Sequence, residues 1–171
     1  FNTCPACTEN QWLLPFEKFS NSTDVIEVEA DESNVIDKDN YLITGNVKIK
    51  TDSHFLSADK VKISKTDKSS KASGNVKYQD KHFLVTSDEL NVRKESDFLI
   101  LSSEKSNFQE IKSKANGSAE KIFKNSNYAT LDESRYSMCP INDNAWYIKA
   151  KKIKFNLNTN RVIADNATFV F

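Results

Sequence analysis

A repeated segment constrains the fold of this chain more than any other feature of its sequence. The run Gly45-Asn46-Val47-Lys48 recurs as Gly74-Asn75-Val76-Lys77, and His54-Phe55-Leu56 recurs as His82-Phe83-Leu84. A looser third copy starts at Gly117. The period of about 29 residues suits a unit of two strands and a turn. Because such a unit cannot bury its apolar face alone, the copies are predicted to stack on one shared core.

Apolar and polar residues alternate along these copies. Val47 and Ile49 are interleaved with lysines, and Val61 and Ile63 follow the same rule. A period of two directs one set of side chains inward and the other into water, which is typical of a half-buried β-strand. Clusters of Asp, Asn, Ser and Lys separate the runs as turns would. The sequence therefore predicts an all-β domain of many short antiparallel strands.

One stretch breaks the alternation. Its apolar residues fall on even positions in 146–148 and on odd positions in 153–157. A slip of one residue would turn the whole apolar set of a strand toward water. We therefore predict a bulge or corner within Ala150–Lys152, which would absorb the extra residue.

Length and charge limit the organisation and the class of protein. The 171 residues allow one substantial core or two small ones. Residues 1–23 are predicted to be a cysteine-containing arm and linker, and residues 24–171 one β domain. The 24 basic and 24 acidic residues cancel, which gives no support to a nucleic-acid partner. No apolar run approaches the roughly 18 residues of a membrane-spanning helix. Phe1 is not a natural translation start, so we expect a processed or excised piece of a longer protein.

The residues that usually carry catalysis are sparse and repeat-equivalent. His54 and His82 occupy matching places in two copies, which indicates matching structural roles, such as a place at a strand start. Asp59 and Asp88 also match, and the prediction for both is a turn or bulge residue. Acid–base catalysis normally needs carboxylates in unlike environments. No nucleophile-elbow, phosphate-loop or zinc-protease motif is present. We therefore predict no enzyme activity and no cofactor.

The three cysteines, Cys4, Cys7 and Cys139, are an odd set. A zinc site needs four ligands, and no second closely spaced pair accompanies Cys4 and Cys7. A thioredoxin-like redox pair needs a strand–helix context that this β-rich sequence lacks. Structural disulfides are the favoured interpretation, and one partner could lie in sequence outside this chain.

The repeat also resembles a known family. Gly45–Ile49 followed by Leu56–Ile63, with its Ala-Asp-x-Val-x-Ile pattern, resembles the OstA-like domain of lipopolysaccharide transport. That domain occurs in periplasmic bridge proteins of the LptA type and at the N-terminus of outer-membrane proteins of the LptD type. Tyr136–Pro140, Trp146–Ala150 and Asn166–Thr168 are similar to the end of the LptD-type domain. The resemblance covers most of the chain.

The resemblance implies a β-jellyroll of two antiparallel sheets, open along one side as a V-shaped groove, at the periplasmic face of the outer membrane. The implied partners are the acyl chains of lipopolysaccharide, a bridge protein LptA that adds a strand near residues 25–30, a C-terminal β-barrel and its lipoprotein plug LptE. In LptD-type proteins disulfides join this domain to the barrel, so Cys139 and one of Cys4 and Cys7 are expected to pair with barrel cysteines. The Cys4-x-x-Cys7 pair departs from the single N-terminal cysteine expected in that family.

In this implied fold, the inward residues of the strands are predicted to border the lipid groove. They are Val47, Ile49, Val61, Ile63, Val76, Tyr78, Leu90, Val92, Ile122, Tyr136, Met138, Ile148, Ile153 and Phe155. Ordinary core packing is the alternative for each residue, and we expect half or more of them to have that role. For the whole chain the alternatives are a free periplasmic bridge protein, a structural β domain without lipid and a β-sandwich enzyme.

Overall fold

The computed structural model of the protein describes residues 26–95, 98–140 and 145–171. The predicted arm of residues 1–23, with Cys4 and Cys7, lies outside the described residues. Every regular element in the described ranges is a β-strand, which confirms the all-β prediction. The strands are β1 (Glu27–Glu29), β2 (Glu32–Val35), β3 (Asn40–Lys50), β4 (His54–Ser64), β5 (Ser69–Asp80), β6 (Phe83–Glu95), β7 (Phe98–Glu110), β8 (Asn116–Lys124), β9 (Tyr128–Ser137), β10 (Tyr147–Asn156) and β11 (Arg161–Val170).

The strands form one antiparallel sheet that does not close on itself. From β3 to β11 each strand pairs with the next strand in the chain, and β1 and β2 both pair with β3. Among the described strands, β11 lies at one edge of the sheet and β1 and β2 lie at the other. Within the described ranges the sheet therefore has two free edges.

A line of unusual backbone conformations crosses this sheet near the middle of the long strands. Asn46, Asn75, Lys105, Glu133 and Asn166 have φ values between 45° and 49°. This left-handed region is rarely occupied by residues other than glycine. The five residues lie on β3, β5, β7, β9 and β11, which is every second strand. We call the line through them the crease.

The hydrogen-bonded ladders are interrupted along the crease. Between β9 and β10 the pairing passes from Ala150–Ser134 to Lys152–Asp132 and skips Lys151. The pairing of β10 with β11 skips the same residue. Such an interruption lets a strand bend and pass from one sheet layer into another. The predicted bulge or corner within Ala150–Lys152 is therefore confirmed.

The repeated Gly-Asn pair forms the crease on β3 and β5. Gly74 has a φ of 77°, and a β-carbon there would collide with the Asp59 carboxylate. The side-chain amide of Asn75 donates a hydrogen bond to that carboxylate at 2.8 Å. The Gly-Asn pair of β3 makes the same arrangement with Asp31. Each copy is thus a bulge that docks on an aspartate of the adjacent chain segment, and the prediction that Asp59 is a bulge residue is confirmed.

Gly117 does not continue this series. It lacks a left-handed φ, and a β-carbon on it would collide with the backbone carbonyl of Arg135 on β9. Lys105 and Glu133 hold the left-handed positions that follow Asn75. The prediction of a third copy starting at Gly117 is therefore wrong, because this glycine permits close approach of two strands and makes no bulge.

The crease divides each long strand into two segments, and the two sets of segments face each other. Phe83 of β6 and Phe155 of β10 lie on strands that are not neighbours and on opposite sides of the crease, yet their ring centroids are 5.3 Å apart. The two sheets implied by the resemblance are therefore two halves of one folded sheet. Wall A consists of 47–50, 54–58, 76–80, 83–87, 106–110, 116–119, 134–137, 147–150 and 167–170, and wall B of 40–44, 60–64, 69–73, 90–95, 98–104, 121–124, 128–132, 152–156 and 161–165.

The main core lies between the walls. Val47, Val61, Val76 and Leu90 are each no more than 1% exposed, whereas the polar and charged residues beside them on the same strands face water. The predicted alternation is therefore confirmed. Strands β3 to β11 are 9 to 13 residues long, longer than the short strands expected, because each of them contributes to both walls.

Glycine at a left-handed crease position should stabilise the fold. Lys105→Gly removes a backbone strain of about 1–2 kcal/mol at an exposed position, so its free energy of unfolding is expected to equal or exceed that of the wild type. The matched control is Asn107→Gly, at an exposed position of the same strand without a left-handed φ, which should cost roughly 0.5–1 kcal/mol. Urea denaturation measures both, and equal losses would contradict the crease as a strained bend.

Candidate functional site

Two pockets open between the walls at the strand ends farthest from the crease. We call them together the mouth. The first, the Tyr136 pocket, has a volume of about 410 Å³ and a mostly apolar lining with a polar rim. Wall A and its turns contribute His82, Phe83, Glu110, Lys112, Ser113 and Tyr136, and wall B and its turns contribute Phe155, Asn156, Leu157, Asn160 and Val162.

The second pocket, the Lys124 pocket, has a volume of about 480 Å³. Wall A and its turns contribute Asp52, Ser53, Tyr78, Asp80, Lys81 and His82, and wall B and its turns contribute Leu99, Leu101, Lys124, Asn125 and Ser126. His82 lines both pockets, so the two lie side by side. Volumes of this size are typical of sites for small ligands.

Aromatic rings join the walls beside the Tyr136 pocket. Phe155 of wall B has its ring centroid 5.3 Å from Phe83, 6.3 Å from Phe108 and 6.1 Å from Tyr136, all of wall A. The contacts with Phe83 and Phe108 are edge-to-face, a favoured geometry worth about 0.5–1.5 kcal/mol each. Phe155 thus joins the two walls beside this pocket.

A buried ion pair joins the walls beside the Lys124 pocket. Nζ of Lys124, on wall B, lies 2.6 Å from Oδ2 of Asp80, on wall A, and the two side chains are only 12% and 8% exposed. Asp80 also accepts hydrogen bonds from the Tyr78 hydroxyl at 3.2 Å and from the backbone amides of His82 and Phe83 at 2.8 and 2.9 Å. On wall A, Oδ1 thus accepts two hydrogen bonds and Oδ2 accepts one, and Oδ2 also contacts Lys124.

The charge state of Asp80 follows from these contacts. Burial alone would raise its pKa, but attraction to Lys124 and the hydrogen bonds from Lys124, His82 and Phe83 outweigh burial and hold the pKa of Asp80 below its usual 3.8. Asp80 is therefore ionised at neutral pH.

The two histidines favour their neutral forms. His54 stacks on Tyr78 at 6.0 Å and lies 2.9 Å from the Thr51 hydroxyl through Nδ1. Burial lowers the pKa of His54 below 6.5, against the attraction of Asp80 and Asp52. Burial also lowers the pKa of His82, which is less enclosed. His54 is the first residue of β4 and His82 directly precedes β6, so the prediction of a place at a strand start is confirmed.

The structure distributes the fourteen predicted groove residues over three environments. Val47, Ile49, Val61, Val76, Tyr78, Leu90, Val92, Ile122, Ile153 and Phe155 are buried in the core. Ile63, Tyr136 and Ile148 are partly buried and pack against it. Met138 is 45% exposed, so the inward placement expected for it is not observed, because β9 and its alternation end at Ser137. Tyr78, Tyr136 and Phe155 line the mouth, and contact with lipid stays a prediction for the whole set.

The sequence reasoning missed the charged residues of the mouth, although a signal was present. On β5, Asp80 falls on the same inward-facing side of the strand as Val76 and Tyr78. On β8, Lys124 falls on the same inward-facing side as Ile122. A carboxylate and an ammonium that both fall on the inward side of strands indicate a buried pair, since lone buried charges are costly. Phe83 belongs to the repeated His-Phe-Leu segment, but the repeat gave no signal for its place at the mouth.

Cys139 is fully buried and disulfide-bonded, and its partner lies outside the described residues. The side-chain amide of Asn116 donates a hydrogen bond to the carbonyl oxygen of Cys139 at 2.7 Å. The backbone amide of Cys139 donates to the Ser137 hydroxyl at 2.9 Å. These bonds fix the segment after β9. The pairing expected for Cys4, Cys7 and Cys139 stays a prediction.

The two free edges carry most of the exposed apolar residues. Val28 and Val35, on β1 and β2, are 50% and 68% exposed, and Ile163 and Phe169, on β11, are 60% and 54% exposed. Among the described residues no three His, Cys, Asp or Glu side chains gather as metal ligands would. Within the same ranges no helix has the length and apolarity needed to cross a membrane.

Comparisons with known proteins give a consistent relationship. The family model described as "LptA/(LptD N-terminal domain) LPS transport protein" matches residues 27–161. An LPS-assembly protein LptD of Nitrosococcus oceani is 30% identical over 132 residues, which are 77% of this chain and 18% of that protein. The LPS-assembly protein LptD of Acinetobacter baumannii is 29% identical over 164 residues, 91% of this chain and 20% of that protein. The chain thus spans about a fifth of the length of these relatives.

A solved structure gives a weaker likeness. LptH of Pseudomonas aeruginosa, described as the LptA homologous periplasmic component of a lipopolysaccharide transport device, superposes with a TM-score of 0.35 and 14% sequence identity. The aligned region covers 86% of this chain and 95% of the LptH chain.

Loss of the Lys124 ammonium should cost more than loss of a surface partner. Lys124→Met keeps the aliphatic stem but leaves the Asp80 charge in the mouth, so the free energy of unfolding at pH 7 should fall by about 1.5–3 kcal/mol. The matched control, Lys71→Met, breaks the half-exposed pair with Glu89 and should cost less than about 1 kcal/mol. Because the pKa of Asp80 is lowered in the folded protein, the loss should shrink as pH falls below 3.8. A pH-independent loss would contradict an electrostatic origin.

The histidines should make the fold less stable on mild acidification. Because the folded protein resists protonation of His54, its stability should be constant above pH 6.5 and decrease as pH falls below 6.5. His54→Gln should flatten the dependence of the free energy of unfolding on pH between 6.5 and 5. His82→Gln, at the less enclosed site, should flatten it less. Chemical denaturation across this range measures both slopes, and an unchanged slope in His54→Gln would refute the assignment.

Proposed function

Because the chain belongs to the family of lipopolysaccharide transport domains formed by LptA and the N-terminal domain of LptD, we propose that it carries acyl chains of lipopolysaccharide between its two walls. The observation that carries this proposal is an unclosed β-sheet whose apolar walls gape into two adjacent pockets at one side. A closed sandwich would give an acyl chain no lateral entry.

The physical need for such a cleft follows from the chemistry of the cargo. Each methylene shielded from water is worth about 0.8 kcal/mol, so several acyl chains exposed together would cost tens of kcal/mol. Apolar walls supply this shelter without directional bonds, and the cargo can therefore slide onward. The sugar head group would stay in water beside the polar rim of the Tyr136 pocket, which includes Glu110, Lys112 and Asn160. Transport of this kind needs no catalytic group, so we propose that the domain is not an enzyme.

The interior is well filled at rest, which assigns different roles to the predicted groove residues. Tyr136 and Phe155 line the mouth and are placed to touch an acyl chain first. Residues such as Val61 and Leu90, which are 0% exposed, would meet lipid only after the walls separate. We propose that the mouth is the site of lipid contact and that the deep residues mainly hold the walls together.

We further propose that the domain is the periplasmic part of an LptD-like outer-membrane protein. The free edge at β1 and β2 suits strand addition by a bridge protein of the LptA type. The exposed apolar face of β11 suits continuation into a C-terminal β-barrel with its LptE plug. Cys139 and the N-terminal cysteines would then supply disulfides, including bonds to the barrel.

A free bridge protein of the LptA type is the second candidate, because the matching family model describes LptA and the LptD domain together. The named relatives that match most of this chain are LptD proteins, which favours the first candidate. Mass-spectrometric mapping of disulfides in the full-length protein separates them. A bond from one of this chain's cysteines to a cysteine of a barrel domain would be absent in a free bridge protein.

Photo-crosslinking tests the lipid contact. A benzophenone amino acid placed at Leu157, in the Tyr136 pocket, should form adducts with lipopolysaccharide in cells. The same group at Lys154, exposed on the outer face of β10 against the Tyr128 ring, is the matched control and should form at least fivefold fewer adducts. Equal yields at the two positions would reject a lipid path through the mouth.

A further inference from the structure

The turn between β5 and β6, residues 80–83, makes two of the contacts that bridge the mouth. Its first residue, Asp80, binds Lys124 across the cleft, and its last residue, Phe83, packs on Phe155. The two partners lie on wall B, on β8 and β10. One short turn therefore pins wall A to wall B at two points.

The same turn separates the two pockets. Phe83 lines the Tyr136 pocket, Asp80 lines the Lys124 pocket, and His82 between them lines both. Lys81 at its tip is exposed. Movement of this turn away from wall B would therefore join the two pockets into one longer cleft.

The bonds of Asp80 keep the share of the ion pair in the cost of such a movement low. Three of its four contacts, with Tyr78, His82 and Phe83, come from wall A and travel with it. Among the described residues only the bond to Lys124 crosses the cleft. Water can replace this bond on both ions once the two sides of the mouth, which we call the lips, move apart. Desolvation of a buried pair offsets most of its attraction, whereas an apolar pair in the same place would gain nothing from hydration. A charged contact between the lips is thus easier to separate than an apolar one.

Resting on the proposed function, we propose that the two pockets are a single entry site for an acyl chain, and that the Asp80–Lys124 pair is the latch that keeps it divided until lipid arrives. The ligand is an unbranched hydrocarbon chain whose polar head remains at the rim. The latch favours the closed lips only weakly, so that burial of the chain is sufficient to displace it.

Two variants of the 171-residue chain should shift the latch in opposite directions. Lys124→Met leaves a charged Asp80 that is hydrated only when the lips are open, so it should open the mouth and speed uptake of parinaric acid, a fluorescent 18-carbon fatty acid, at least threefold. Asp80→Asn/Lys124→Met keeps an acceptor for the amides of His82 and Phe83 but removes both charges, so it should close the mouth and slow uptake at least fivefold. A merely structural role would change both rates in the same direction.

The matched control is Lys71→Met/Glu89→Gln, which removes a half-exposed pair between the neighbouring strands β5 and β6 and should leave uptake within twofold of the wild type. If Asp80→Asn/Lys124→Met fails to fold, the equally uncharged Asp80→Asn/Lys124→Gln makes the same comparison. Equal uptake by the wild type, the single variant and the uncharged double variant would overturn the latch.

A distance measurement keeps the latch separate from the lipid function. Nitroxide labels on unnatural amino acids at the exposed residues Lys81 and Ser126 report the gap between the lips by pulsed electron resonance without lipid. Lys124→Met should lengthen this distance and the double variant should narrow its distribution. If these shifts occur while the wild type takes up no fatty acid, the lipid function fails and the latch stands. Identical distributions in all variants would overturn the latch whatever the uptake shows.

Discussion

The fold depends on one backbone constraint, the crease of left-handed residues that crosses the sheet. A strand that stays regular keeps its apolar set on one face and runs in one layer. Here Asn46, Asn75, Lys105, Glu133 and Asn166 bend alternate strands at matching heights, and the interrupted ladders bend the strands between them. Each long strand therefore enters both walls, and one continuous sheet encloses a core as two sheets would. Because the bend is made by the strands themselves, closure of the first edge on the last is not required, and one side stays open.

The open side explains why an ion pair occupies the interior near the mouth. Near the crease the walls are close together and side chains such as Val61 and Leu90 exclude water completely. At the far ends of the strands two pockets remain between the walls, and Phe155 and the Asp80–Lys124 pair join the walls beside them. Apolar packing holds the walls together near the crease. At the mouth, where the walls would have to separate in the proposed function, there is an ionic contact that water can replace. The apolar core that stabilises the domain and the ion pair proposed to regulate the mouth thus lie in different parts of the cleft.

Much of the fold was predictable because its rules act locally along the chain. Alternation of Val47 and Ile49, and of Val61 and Ile63, with polar residues identified strands and their inward faces. The change of phase around Lys151 identified a bend. The third repeat was misplaced at Gly117, since a glycine can serve either a left-handed bulge or a close approach of strands, and sequence does not separate these uses. Lysine and glutamate at the crease, such as Lys105 and Glu133, give no local signal for a left-handed backbone.

The sequence by itself determined the β class, the inward set of side chains, the Gly-Asn bulges and the presence of opposite charges on inward positions. Only the tertiary structure decided that the sheet stays unclosed, that Asp80 meets Lys124 and that ten of the predicted groove residues are packed core. The physical reason is the distance along the chain over which each feature is determined. Strand periodicity is set by the steric and hydrogen-bonding rules of adjacent residues, whereas a contact across the cleft depends on the bend and twist accumulated over several strands, which no short segment of the chain encodes.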